Sequence, residues 1–243
     1  GLFNQLVFLP LIGFLIILLF DLDSTMAIGI MILSLCPGGP TSNLITQVSR
    51  GNIGLSVTLT ALASLITVFT IPIILSEAIS YFSGEIDVII ELPIVQTMIQ
   101  ILVITVIPVS IGMVIRKKNE DFALRMERPM RIASTVLFII IFLLVMIANK
   151  DLIVQAMKEV GFATLLLNLS TMALGYMTAK FFGIKGKSQI SITIESGIQN
   201  GTLAFVIATT ILNNVEMGLP TGAYSIWMFI SGGILMWRLG ASK

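Results

Sequence analysis

The chain has 243 residues, of which 56% are hydrophobic and only 11% charged, against about 25% charged in an ordinary soluble domain. So little polar surface cannot cover a water-exposed globule, and the composition reads as an integral membrane protein. A net charge of +1 points to no nucleic-acid partner, the single cysteine (Cys36) excludes an internal disulfide framework, and the lack of histidine argues against zinc or Ser-His-Asp enzymes.

Crossing a bilayer takes about 20 mostly apolar residues. Eight stretches qualify: 2–20, 24–50, 52–79, 93–115, 132–149, 160–183, 188–212 and 221–239. The connections are short, so 1–243 reads as one domain. The runs are continuous, unlike the alternating segments of about ten residues in a membrane barrel. Gly1 opens inside an apolar run with neither an initiator Met nor a basic leader, which reads as a truncated chain.

Two spans are irregular. The second is interrupted by CPGGP at 36–40, where Pro37 and Pro40 remove backbone donors and the two glycines loosen the chain. The seventh is interrupted at Gly197 and Gly201, beside Glu195. Unwound backbone at membrane depth is tolerated only where it is buried in protein or lines a cavity, and paired broken helices point to a transporter site. The two breaks are five spans apart and so run in opposite directions. This predicts an inverted repeat of five helices, with spans one to three mirroring spans six to eight. The partners of spans four and five would then precede Gly1.

Charge sorting fixes the expected orientation. Twelve of the 14 basic residues fall on the side before the first span: Arg50, Arg116, Lys117, Lys118, Arg125, Arg128, Arg131, Lys180, Lys185, Lys187, Arg238 and Lys243. Nine of the 13 acids fall opposite: Asp21, Asp23, Glu77, Glu85, Asp87, Glu91, Asp151, Glu159 and Glu216. Lys and Arg accumulate on the cytoplasmic side, so the C-terminus is expected there.

Glu195 is the one charged residue expected near mid-membrane, and no protein cation is expected at that depth to neutralise it. An acid so placed is a functional-site hypothesis by default. It is protonated, or it binds a cation from solution; a structural, hydrogen-bonded role is the plainer alternative. Gln199, a turn away, and the carbonyls of the broken backbone are oxygen ligands of the kind hard cations take. After the first break, Thr41 or Ser42 could cap the second half-helix, while Asn43 offers a carbonyl. Ser56 and Thr60 share a face, although their hydroxyls could bond back to the preceding turn. Gly197 and Gly201 also fit a small-xxx-small packing motif. Gln5 has no reading of its own, and Cys36 reads as a small apolar residue.

The runs CPGGPTSN, RGNIGLSVTLTALAS and IESGIQNGTLA together resemble the bile acid:sodium symporter family over the whole length. The resemblance implies an all-α, polytopic fold with inverted five-helix repeats and two broken crossing helices. Ten helices are usual, so the eight spans here resemble helices three to ten. Spans 1–79 and 160–243 would belong to the moving core, and 93–149 to a panel domain. The resemblance implies two sodium ions. Ser42, Asn43, Ser56, Thr60 and Glu195 resemble one site. Gln5, Glu195 and Gln199, with backbone oxygens of Ser196 and Ile198, resemble the other. Asn200, Thr41 and Pro40 would face the substrate. Bile-acid-carrying relatives typically read Cys-Pro-Gly-Gly-Thr where this chain has Pro40, which removes or displaces a hydroxyl.

These readings predict a sodium-coupled symporter, not an enzyme, importing a small organic anion (bile-acid-like, pantoate-like or keto-acid-like) by alternating access in a bacterial inner membrane. Its surroundings would be membrane lipid. A proton-coupled carrier or exporter using Glu195 as proton site is the alternative; a non-transporting receptor of the same fold is a third.

Overall fold

The computed structural model describes residues 1–83, 93–148 and 150–240. Glu85, Asp87, Glu91 and Lys243 in the charge sorting, and position 149 at the end of the fifth span, lie outside the described residues.

A π-helical turn at Asn4–Phe8 runs into α1 (Leu9–Phe20), which stops where Asp21 turns left-handed at φ 46°. Asp23 then caps α2 (Ser24–Leu35), accepting from the amides of Thr25 at 2.9 Å and Met26 at 3.2 Å. Pro37 cannot continue the helix, so α2 ends before the CPGGP run and α3 (Pro40–Val48) restarts with proline at its first position. Asn52 caps the long α4 (Ile53–Phe82). Beyond it lie α5 (Ile94–Lys118), α6 (Glu120–Ala148) and α7 (Lys150–Glu159). α8 (Gly161–Phe181) returns through a turn whose Gly183 and Gly186 both have positive φ, 71° and 62°. α9 (Lys187–Gly197) and α10 (Gly201–Val206) are the halves of the second broken helix, and α10 passes into a π-helical turn at Ile207–Ile211. A short 3-10 turn leads to α11 (Leu219–Gly240).

The structure is all-helical among the described residues. Among the described residues, four helical segments are singly long and apolar enough to cross a membrane: α4, α5, α8 and Glu216–Gly240. A helix rises about 1.5 Å per residue, so the 12 residues of α2 or the 11 of α9 cover about half a bilayer. A broken span therefore yields two short helices, which is why length alone misses it. Two stretches differ from the sequence expectation. α6 begins at Glu120, well before the apolar run at 132, and residues expected to connect spans five and six form α7.

α2 lies at the centre: every residue from Met26 to Leu35 is buried, against α1, α4, α10 and α11. Such a helix is apolar on all sides because it has no outer face. α8 and α9 pack as a hairpin, and α3 sits between α4, α9 and α11. α5 leans on α4 and α6 on α5, with apolar side chains such as Val95 and Met113 about 70% exposed (70% and 68%).

The two breaks cross. Gly38 and Gln199 form an isolated antiparallel bridge, and the Asn200 amide donates to the Pro37 carbonyl at 2.8 Å. Gly38 is required here, since a Cβ would lie 2.5 Å from Glu195 Oε2 and 3.2 Å from Gln5 Nε2.

Candidate functional site

Glu195 closes the last turn of α9 and is fully buried. Its carboxylate meets four neutral side chains from three other parts of the chain. Ser42 of α3 and Ser56 of α4 donate to Oε1 at 2.6 and 2.5 Å. Thr60, one turn along α4, donates to Oε2 at 3.0 Å, and Gln5 Nε2 donates to Oε2 at 3.2 Å. The spacing of Ser56 and Thr60 puts both hydroxyls on the face of α4 that meets α9.

Counting protons exposes the site's character. Ser42 Oγ also faces the Gly39 carbonyl at 2.7 Å. Ser56 Oγ also faces Asn43 Oδ1 at 2.9 Å and Thr46 Oγ1 at 3.3 Å. Thr60 Oγ1 also faces the Ser56 carbonyl at 3.1 Å. A hydroxyl carries one proton, so none of these three can satisfy all its acceptors. Glu195 Oε1, Asn43 Oδ1 and the Ser42 and Ser56 hydroxyls thus gather oxygen lone pairs and negative charge in excess of protons. That is a donor set for a hard monovalent or divalent cation. Among the described residues no group of three or more His, Cys, Asp or Glu side chains is placed to hold a metal, so the set differs from a transition-metal centre.

A second group of oxygens gathers around Gln5, which also meets the carboxylate, and Gln199. Gln5 Nε2 donates to the Glu195 carbonyl at 2.7 Å, and Gln199 Nε2 to the Ser196 carbonyl at 2.9 Å. Both amide oxygens, Gln5 Oε1 and Gln199 Oε1, are buried without a hydrogen-bond partner. Each costs about 1–3 kcal/mol if left so. Ile198, between Ser196 and Gln199, is extended at φ −113°, ψ 99°, so the backbone here is open as the sequence predicts.

Asn200 caps α10, its Oδ1 accepting from the Leu203 amide at 3.1 Å. Gly39 packs on Asn200, a Cβ there lying 3.3 Å from its Cα, which brings the start of α3 beside it. Pro40 is exposed, and Thr41 and Asn200 are half-buried. Gln5, Ser42, Asn43, Ser56, Thr60 and Glu195 are thus linked by hydrogen bonds beside the crossing, and Gln199 and Asn200 lie within it.

Three open alternatives are resolved. Neither Thr41 nor Ser42 caps α3: Gly39 is the N-cap without a side-chain bond, because Ser42 turns its hydroxyl to the Gly39 carbonyl and Glu195. Thr60 stands between two acceptors, the Ser56 carbonyl and the carboxylate, with one proton to share, whereas Ser56 turns wholly to side chains. Gly197 both ends α9 and packs closely, since a Cβ would run into Met172.

Sequence reasoning passed over four polar residues. Asn4 donates to Thr178 Oγ1 and Ser196 Oγ, and Thr46 lies against Ser56. Asn168 and Tyr224 both donate to the Gly197 carbonyl, at 2.7 and 2.8 Å. Asn168 carried a legible signal, a carboxamide amid the apolar run of the sixth span.

The known proteins that this chain resembles are transporters by name. The model of the sodium bile acid symporter family matches residues 1–156. "Probable sodium/metabolite cotransporter BASS1, chloroplastic" of Arabidopsis thaliana is 28% identical over 100% of this chain and 59% of its own length. "Uncharacterized sodium-dependent transporter YocS" of Bacillus subtilis (strain 168) is 26% identical over 97% of this chain and 71% of its own. The human "Ileal sodium/bile acid cotransporter" is 27% identical over 85% of this chain and 58% of its own. The chain thus spans less than two thirds of the length of two of these three relatives.

Proposed function

The chain belongs to the sodium bile acid symporter family, and from that premise we propose that it is a sodium-coupled symporter carrying a small organic anion inward by alternating access. The observation that carries the reading is the buried Glu195 carboxylate, ringed by neutral donors whose oxygens outnumber their protons. A cation supplies the missing positive charge. Sodium fits the oxygen-only set and the names of the three relatives.

Two ions are proposed. Ser42, Asn43, Ser56, Thr60 and Glu195 hold the first. Gln5, Glu195, Gln199 and the carbonyls of Ser196 and Ile198 hold the second, where the orphaned oxygens of Gln5 and Gln199 support the assignment. One carboxylate cannot neutralise two ions, so a negative substrate beside Asn200, Thr41 and Pro40 completes the balance. Pro40 offers no hydroxyl, which favours an anion recognised otherwise than a bile acid is.

Coupling follows from shared ligands. Ser42 shares α3 with Pro40 and Thr41, and Glu195 on α9 is joined through the break to Asn200, the cap of α10, so sodium and anion each hold the crossing in the form the other needs. In this reading eight spans form an inverted repeat. The crossing and its supports move against a panel containing α5 and α6, whose exposed apolar side chains meet lipid. The molecule sits in a bacterial inner membrane with its basic loops and C-terminus in the cytoplasm. Proton coupling is the weaker alternative, because four donors aimed at the carboxylate suit its charged form.

The test is uptake in proteoliposomes. Labelled candidate anions should accumulate with an inward sodium gradient, and not with a pH gradient at equal sodium. Accumulation driven by pH alone would transfer the role of Glu195 to a proton.

A further inference from the structure

The broken end of α9 leaves the backbone carbonyls after Ile194 without helical partners, and the structure accounts for them one by one. Ile194 O takes the Ile198 amide at 2.8 Å. Glu195 O takes Gln5, and Ser196 O takes Gln199. Gly197 O is treated differently. It receives two donors, Asn168 Nδ2 from α8 at 2.7 Å and Tyr224 OH from α11 at 2.8 Å, with the two side chains themselves 3.4 Å apart. Both residues are fully buried, and the Tyr224 hydroxyl also neighbours the Gln199 side chain.

A bystander role explains this poorly. Asn168 Oδ1 has no partner, so a carboxamide is kept in an apolar helix with half its hydrogen-bonding capacity unmet. Its donor half is what the site uses. Peptide planarity and the extended conformation of Ile198 carry the consequence further. In extended backbone, successive carbonyls point to opposite sides. Pinning Gly197 O toward α8 and α11 therefore turns Ile198 O the other way, into the crossing where the second ion is proposed.

We propose that Asn168 and Tyr224 are positioning residues for the second sodium site: their clamp on the Gly197 carbonyl aims the Ile198 carbonyl at the ion. This rests on the proposed sodium coupling. Neither side chain is a proposed ion ligand: Asn168 acts through one peptide plane, and Tyr224 through that plane and through its contact with the Gln199 side chain.

The experiment titrates sodium against thermal stability of the purified native protein, and against uptake, for wild type, Tyr224→Phe, Asn168→Leu and the double variant. Thr164→Val on α8 is the control, since that hydroxyl bonds only to its own helix at Val160 and Gly161. Loss of one clamping bond should raise the half-stabilising sodium concentration about five-fold. The double variant should shift it further and reduce the cooperativity of sodium activation. Unfolding without sodium should change little for Tyr224→Phe, which a purely structural bond would not allow. Normal sodium titration in all three clamp variants, with wild type responding, overturns the clamp and leaves symport standing. An equal shift in Thr164→Val would assign the effect to α8 packing and also overturn it. Absence of any sodium response in wild type would overturn both.

Discussion

Glu195→Gln keeps the size of the side chain and one carbonyl but removes the charge that four donors converge on. It should abolish sodium-dependent uptake and sodium-induced stabilisation, while the protein still folds and inserts. A mutant that concentrates substrate on a sodium gradient would make the carboxylate structural. Asn43 and Asn200 divide differently, because one faces the hydroxyl cluster and the other caps α10. Asn43→Ala removes a proposed neutral ligand and should raise the sodium requirement for half-maximal uptake about five-fold or more. Asn200→Ala should mainly weaken substrate binding, with a cap loss of about 1 kcal/mol in stability. Titrations of both ligands on both variants check this, and equal effects on sodium affinity would contradict the division. Glu195 was legible in the sequence because an uncompensated acid in an apolar run has no bland surface role. Gln5 was not: nothing within its own segment says that its amide meets a carboxylate 190 positions away.

At the scale of elements, the breaks matter more than the helices. Two half-helices can cross at backbone distance only if nothing projects between them, so Gly38 carries a steric demand no other residue meets. Gly38→Ala should cost about 1–3 kcal/mol by overpacking and should also displace Glu195 and Gln5. Its melting temperature and sodium response should fall together. Gly112→Ala in α5 meets nothing within 4 Å and should affect neither. The Asp23 cap offers the opposite control. Asp23→Ala leaves two α2 amides unpaired and should cost about 1 kcal/mol of stability without altering the sodium midpoint.

Across the whole molecule, the proposed stoichiometry of two sodium ions with one monovalent anion would move one net positive charge inward. That charge is worth about 2.3 kcal/mol per 100 mV of membrane potential. Uptake into vesicles should rise when a potassium diffusion potential makes the interior negative. Insensitivity to potential would mean a different stoichiometry or a divalent substrate. The same vesicles test orientation: labelling of a cysteine placed at Lys117 should come from the cytoplasmic side if the basic loops lie there.

What depends on local chemistry can be read from single segments of the chain. Composition fixed the solvent of the protein, because too few polar side chains exist to face water. Pro37 and Pro40 ended and restarted a helix wherever the chain lay, and the run around Glu195 marked a costly acid beside a second break. Tertiary structure alone decided which groups meet. Ser42, Ser56 and Thr60 lie 153, 139 and 135 positions from Glu195, and each reaches it only because two broken helices cross against α4. Thr41 and Ser42 looked like caps, and the proximity of a carboxylate gave the Ser42 proton another use. Asn168 and Tyr224 became visible only when α8 and α11 were seen to converge on one carbonyl. The physical reason is common to all of them. Hydrophobicity and helix breaking are properties of a segment, whereas a ligand set is a coincidence of directions from segments far apart, fixed by helix phase and crossing angle.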